Sequence, residues 1–371
     1  MDKMIPINLP LIDDEEIDAV AKVLRSGIVT GRIQSGPWVK RLEDGFAKFV
    51  AAKHAFAVNS GTAALHLALM AAEVGAGDEV VVPSFSFIAT AEAVALVGAK
   101  PVFVDINPLT YNIDPAKIGK AITKKTKAIV PVDLYGLPAD MKRIREIADK
   151  HGLVIVEDAA QTHGAMYLGK PAGAFADVAC WSFYASKNMK TGEGGMITTN
   201  KKGYTEKVPY IRAHGEKEEY FSSMLGHNFR MPEMEGAVGC VQLQKLPKFL
   251  EARRKNAMQL TEKLAKAKRL QLPSEPKGYG HSWYLYTVRL KDASESARDK
   301  LVEKLKRKNI GATVYYRTPI HLMPYYKRFG KYHLPETEKA AEQVFSLPVH
   351  PAVTAGQIDY IAKTVLELLS K

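Results

Sequence analysis

From Ala55 to Asn200 the chain repeats one pattern, short apolar runs separated by stretches whose apolar residues recur at helical spacing. The runs are Ala55–Asn59, Glu79–Pro83, Lys100–Asp105, Lys127–Val132, Leu153–Glu157, Val178–Phe183 and Met196–Thr199. Several are near-continuous in Val, Ile and Phe instead of alternating, as strands covered on both faces are. The pattern predicts an α/β fold with a mainly parallel central sheet flanked by helices, in which ligands collect at the carboxyl ends of the strands. Between the runs, Ala139–Lys150 sets Met141, Ile144, Ile147 and Ala148 on one face, with Gly152 as a stop. Ala63–Val74 is apolar nearly all round, so that helix is expected deep in the core.

After Pro247 the pattern changes. A Lys/Arg-rich amphipathic segment covers Phe249–Lys268, Pro273–Gly280 reads as a loop, and a strand-like stretch follows at Ser282–Leu290. A helix over Ser296–Lys308, a second strand over Ala312–Tyr316 and a closing helix over Ala355–Leu369 complete a smaller α+β domain. The expected division is therefore residues 1–247 as a large domain and 248–371 as a small C-terminal one.

Composition fits that division, because 371 residues with 46% hydrophobic content suffice for two cores. The formal net charge of +12 invites a nucleic-acid reading, but Lys and Arg are scattered along amphipathic helices instead of forming one tract. Attraction of anionic substrates such as nucleotide-linked sugars, or a merely well-solvated surface, explains the charge without nucleic acid. The two cysteines, Cys180 and Cys240, lie in no metal-ligand spacing and argue for a reducing compartment and no metal site. The N-terminal residues show no apolar signal-peptide region, and the most apolar window, Val80–Ala99, is broken by Pro83 and Glu92. A cytoplasmic protein with no membrane segment is expected.

Four segments carry candidate chemistry, and each has a plainer reading. Asn59-Ser60-Gly61-Thr62 joins a strand to a helix, where free amides favour an anion, or where Ser60 or Thr62 is an ordinary helix cap. Asp158 ends an apolar strand; it can keep a heteroaromatic ring nitrogen protonated, or cap the next helix. Lys187 leaves another strand beside aromatic residues, a setting that frees an amine for a Schiff base, although most lysines simply reach the surface. Phe87 follows a third strand and can cover a planar ring or belong to the core. Together, in this order, an anion site, a stacking aromatic, an acid and an amine are the requirements of pyridoxal phosphate (PLP).

The same residues resemble the DegT/DnrJ/StrS sugar aminotransferases, PLP enzymes of the aspartate aminotransferase fold (fold type I). The resemblance rests on Asn-Ser-Gly-Thr-Ala-Ala-Leu at 59–65, Glu-Asp-Ala-Ala-Gln at 157–161, Ser-Phe-Tyr-Ala-Ser-Lys-Asn at 182–188 and Gly-Glu-Gly-Gly at 192–195. Arg-Ala-His-Gly at 212–215, Gly-His-Asn-Phe-Arg-Met at 226–231 and Ile320-His321 extend it over nearly the whole chain. It implies Lys187 as the aldimine lysine, Asp158 at the pyridine nitrogen, Gln161 at the ring hydroxyl and Phe87 stacked on the ring. Gly61, Thr62 and Ser182 would hold the phosphate, joined by Asn228 from the neighbouring subunit of a homodimer with shared active sites. Arg230 and His321 match positions near the sugar nucleotide. His227 stands where the family often has Tyr, and Tyr184 where some members have His.

The implied reaction is ping-pong transfer of an amino group, from L-glutamate, to a nucleotide-linked keto-sugar, chiefly a 4-keto-6-deoxyhexose. A 3-keto acceptor is the nearest alternative. PLP-dependent sugar dehydratases are similar but carry His at the lysine position, so Lys187 argues against them. A non-enzymatic regulatory protein is the last alternative, and no helix-turn-helix supports it.

Overall fold

The computed structural model describes residues 3–370. All seven apolar runs are strands: β1 (His54–Val58), β2 (Glu79–Pro83), β3 (Lys100–Val104), β4 (Thr126–Ile129), β5 (Val154–Asp158), β6 (Val178–Ser182) and β7 (Gly195–Thr199). They form one sheet in the order β1-β7-β6-β5-β4-β2-β3. Strand β7 pairs antiparallel with β1 and β6, and the remaining neighbours pair parallel, so a single strand runs against the rest. Residues of β2, β6 and β7 are buried throughout, which is why they lack alternation in sequence.

Helices cover both faces. Gly61–Ala71 is buried nearly all round, and Ser60 caps it by accepting the Ala63 N–H at 3.1 Å. Met141–His151 buries Met141, Ile144 and Ala148 and ends at Gly152 in the left-handed region, φ 65°. The mainly parallel sheet with flanking helices is the architecture of a fold type I PLP-dependent transferase.

The largest helix, Glu233–Leu264, begins well before the expected start at Phe249 and runs through Pro247. A proline inside a helix forfeits a hydrogen bond, yet the helix continues, with Leu246 beside it buried in the core. A Cβ on Gly236 would lie 2.8 Å from Val39, and one on Gly239 would lie 2.6 Å from Leu42, so the two glycines let Pro37–Phe49 approach closely. Glu233 also accepts the N–H groups of Trp38 and Val39 at 2.7 and 3.3 Å, which satisfies the start of that neighbouring helix.

Beyond this helix a second core gathers round a three-stranded antiparallel sheet, Leu270–Gln271, Tyr286–Leu290 and Val344–Leu347. Leu301, Leu305, Ile358, Ile361 and Val365 from two helices, Glu295–Arg307 and Ala355–Leu369, pack against it. The expected strand over Ala312–Tyr316 reduces to one bridge, Thr313 to Ser346, because Tyr316 turns into the left-handed region at φ 60°. The third strand is Val344–Leu347, which sequence reading missed. It follows the helix Pro335–Gln343 with no turn residue between them.

Four histidines, His66, His163, His281 and His350, are held neutral by burial, with pKa values pushed down to about 4, 3, 3 and 4 from 6.5. In the unfolded chain they protonate near 6.5, so acid is taken up there first and stability falls as pH drops through that window. The urea midpoint of the apo protein is therefore expected to be lower at pH ~5 than at pH ~7. An unchanged midpoint would count against this burial.

Candidate active site

The candidate residues meet where the parallel strands end. Strands β1, β7 and β6 bring the Val58, Gly195 and Ser182 backbones into register, and the turn after β1 leads directly into the helix at Gly61. A Cβ on Gly61 would sit 2.8 Å from the Ser182 Cβ, and one on Gly195 would sit 2.4 Å from the Ser60 carbonyl oxygen. Only glycine permits this closeness. The result is a helix start with free amides facing a serine hydroxyl, a cradle for a dianionic phosphate. Thr62 is the second residue of that helix.

Asp158 closes β5 and is 6% exposed. Its Oδ2 accepts the Thr90 hydroxyl at 2.8 Å, and its Oδ1 accepts the Ala160 N–H at 3.3 Å. Burial raises its pKa, while the Thr90 hydrogen bond and the Lys187 charge oppose the rise. Such a carboxylate needs a cation, and a protonated ring nitrogen supplies one.

Lys187 sits in the turn after β6, its N–H donating to the Tyr184 carbonyl at 2.8 Å. Its Nζ lies 4.7 Å from the centre of the Tyr284 ring. The turn is fixed from three sides. The Ser186 and Tyr284 hydroxyls meet at 3.0 Å, Asn8 donates to the Ser186 carbonyl, and Asn188 donates to the Ser282 carbonyl at 3.1 Å.

Gln161 has a defined amide orientation. Its Oε1 accepts the Tyr135 N–H at 2.8 Å, so the NH2 end must face Tyr316, whose hydroxyl it meets at 3.0 Å. One amide hydrogen remains for a ring hydroxyl. Phe87 is 57% exposed, and its carbonyl accepts the Thr90 N–H at 3.3 Å, so its free ring lies one turn from the group that touches Asp158. A phosphate cradle, an acid, an amine, a free amide hydrogen and an open aromatic face together fit PLP.

The other sequence candidates lie differently. Asn228 is exposed, and its carbonyl accepts the Asn59 side chain of the same chain at 3.3 Å. Arg230 bridges Val58 and lines a small crevice with Arg32, Ser35 and Arg212. His321 is 3% exposed and both ring nitrogens are engaged, Nδ1 with Ser84 at 2.7 Å and Nε2 with Glu338 at 3.3 Å. Sequence reading missed Thr90, Tyr135, Tyr284 and Tyr316. For Thr90 a signal existed, since Ser86 and Thr90 are one helical turn apart and their hydroxyls meet at 3.1 Å; the three tyrosines come from distant segments and gave none.

This fold and site define a PLP-dependent transferase. The chain belongs to the DegT/DnrJ/EryC1/StrS aminotransferase family, which it matches over residues 10–366, and it is accordingly a PLP-dependent sugar aminotransferase. It is 42% identical to a pleiotropic regulatory protein of Geobacillus stearothermophilus, covering 97% of this chain and 98% of that one. Identity is 37% to GDP-perosamine synthase of Caulobacter vibrioides, over 98% of both chains. It is 41% to a UDP-N-acetyl-3-dehydro-alpha-D-glucosamine 3-aminotransferase of Acidithiobacillus ferrooxidans, over 89% of this chain and 88% of that one. Among solved structures, S. venezuelae DesV in complex with a ketimine intermediate superposes with a TM-score of 0.92 at 37% identity, covering 99% of each chain.

Removing the Thr90 hydroxyl is expected to push Asp158 still further toward its protonated form. Thr90→Val should weaken PLP binding about tenfold and move the acid limit of binding to higher pH, read by absorbance titration. Unchanged affinity and an unmoved limit would show that the hydroxyl does not tune Asp158.

Proposed function

We propose that the protein transfers an amino group from L-glutamate to a keto-sugar carried on a nucleoside diphosphate, as a cytoplasmic homodimer. The observation that carries this reading is the placement of buried Asp158 and half-buried Lys187 at neighbouring strand ends, beside the Gly61–Ser182 cradle. PLP supplies an aldehyde that bonds amines and a ring that accepts an electron pair. Asp158 holds a proton on the ring nitrogen. Lys187 anchors the cofactor, and its Nζ then takes the proton from the donor's α-carbon and returns a proton to the acceptor carbon in the second half-reaction. Gln161 orients the ring through its free amide hydrogen, and Phe87 covers one ring face.

Asn228 sits on an exposed segment beside the cradle, which agrees with a role across a subunit boundary, where it would reach the partner's phosphate. Arg230 and buried His321 complete the sugar-nucleotide side, His321 acting through Ser84 and the end of β2.

The acceptor is a 4-keto-6-deoxyhexose in the first reading. That reading is supported by the family resemblance and by likeness to a synthase whose name carries a GDP-linked sugar, perosamine. A 3-keto acceptor is the second reading, favoured by the relative named for a 3-dehydro sugar.

Incubation with PLP, glutamate and a panel of nucleotide keto-sugars should give an aminated product of defined mass and 2-oxoglutarate. Lys187→Ala should lower turnover at least about a hundredfold. Ammonia release without glutamate consumption would instead indicate a dehydratase. Salt-sensitive DNA binding with no bound chromophore would indicate a regulator.

A further inference from the structure

Three carboxyl groups crowd the ends of β4 and β5, and two have no evident use in the reaction. Asp133 and Glu157 are both 0% exposed. Their side chains lie within hydrogen-bonding reach of each other. Asp133 spends both oxygens, Oδ1 accepting the Ala139 N–H at 2.8 Å and Oδ2 accepting the Thr162 hydroxyl at 3.0 Å. Glu157 Oε1 accepts the Gly173 N–H at 2.7 Å, whereas its Oε2 is buried and receives no N–H or hydroxyl donor. Two carboxylates cannot bond to each other without a proton, and two adjacent anions cannot both persist away from water. The oxygen with no donor is the one that must carry the proton.

We propose that Glu157 stays protonated and donates to Asp133, and that this pair is the positioning unit that fixes Asp158 and Gln161 toward the cofactor. The unit is well placed for that task. The Asp133 N–H donates to the Asp158 carbonyl at 3.1 Å, and the Asp158 N–H donates to the Pro131 carbonyl at 2.9 Å, so the pair and the catalytic acid share one backbone seam. Thr162, held by Asp133, directly follows Gln161.

Burial is the main cause that raises both groups, Glu157 well above the carboxylate range and Asp133 to about 6. Asp158, Cys180 and Tyr279 are other titratable groups that interact with one or the other. Asp158 raises both further, and Cys180 and Tyr279 are neutral at working pH. Asp133 therefore remains an anion only above its raised pKa, and the pair carries one negative charge there. Its positioning role rests on the reading of Asp158 and Gln161 as groups that face PLP.

The test uses the full chain with PLP and two variants. Glu157→Gln keeps a donor to Asp133 and an acceptor for Gly173, whereas Asp133→Asn removes an acceptor oxygen. At a pH above the ordinary carboxylate range, the infrared difference between wild type and Glu157→Gln should contain the carbonyl stretch of one protonated carboxylic acid. Glu157→Gln should bind PLP within about twofold of wild type, while Asp133→Asn should bind about tenfold more weakly.

A difference spectrum without that band overturns the shared proton. Equal loss in both variants, or a folded Asp133→Asn that binds PLP as wild type does, overturns the positioning role. Should Asp133→Asn not fold, the band and the affinity of Glu157→Gln still decide the outcome. A wild-type protein that takes up no PLP overturns the functional reading and with it the positioning role, while the infrared difference still reports where the proton is.

Discussion

The site depends on the cost of keeping Asp158 away from water. A carboxylate that is 6% exposed, with one hydroxyl and one weak amide donor, is poorly compensated by its own surroundings. Lys187 acts on it as a nearby positive charge, and a protonated ring nitrogen would complete the compensation. The protein thereby stores a preference for one kind of ligand, a flat cation at that end with a phosphate at the other. Strand termini suit this because they are where buried backbone gives way to the crevice.

The surrounding structure serves to hold that carboxylate, the amine and the phosphate cradle at fixed separation. Glycines at 61 and 195 allow β6, β7 and the helix start to come closer than any side chain would permit. Tyr284 braces the Lys187 turn through Ser186, and Tyr316 braces Gln161, both from chain that follows the long helix Glu233–Leu264.

Much of the fold was legible because two-faced burial leaves a near-continuous apolar run, as β2, β6 and β7 show most clearly. Lys187, Asp158, Ser182 and Gly61 stood out as candidates for a related reason, since a charged, hydroxyl or glycine residue at the end of such a run breaks its pattern. The strand Val344–Leu347 was not legible, because the helix before it runs straight on without a turn residue. The helix through Pro247 was not, because the proline reads as a boundary, whereas the neighbouring Leu246 is buried in the core and the helix runs on. Thr90, Tyr284 and Tyr316 join the site only through contacts between distant segments, such as the 155 positions separating Gln161 from Tyr316.

The central claim is that one particular amine holds the cofactor. A rival lies three residues on: Lys190 is 2% exposed, and burial with repulsion from Arg253 lowers its pKa to about 8, so more of its amine is free than in an ordinary lysine. Geometry opposes that choice, because the Lys190 Nζ lies over the Phe249 ring and not beside Asp158. Borohydride reduction of the PLP-loaded protein, followed by peptide mapping, decides between them. The account predicts the pyridoxyl group on Lys187 alone; its recovery on Lys190, or on no lysine, would contradict it.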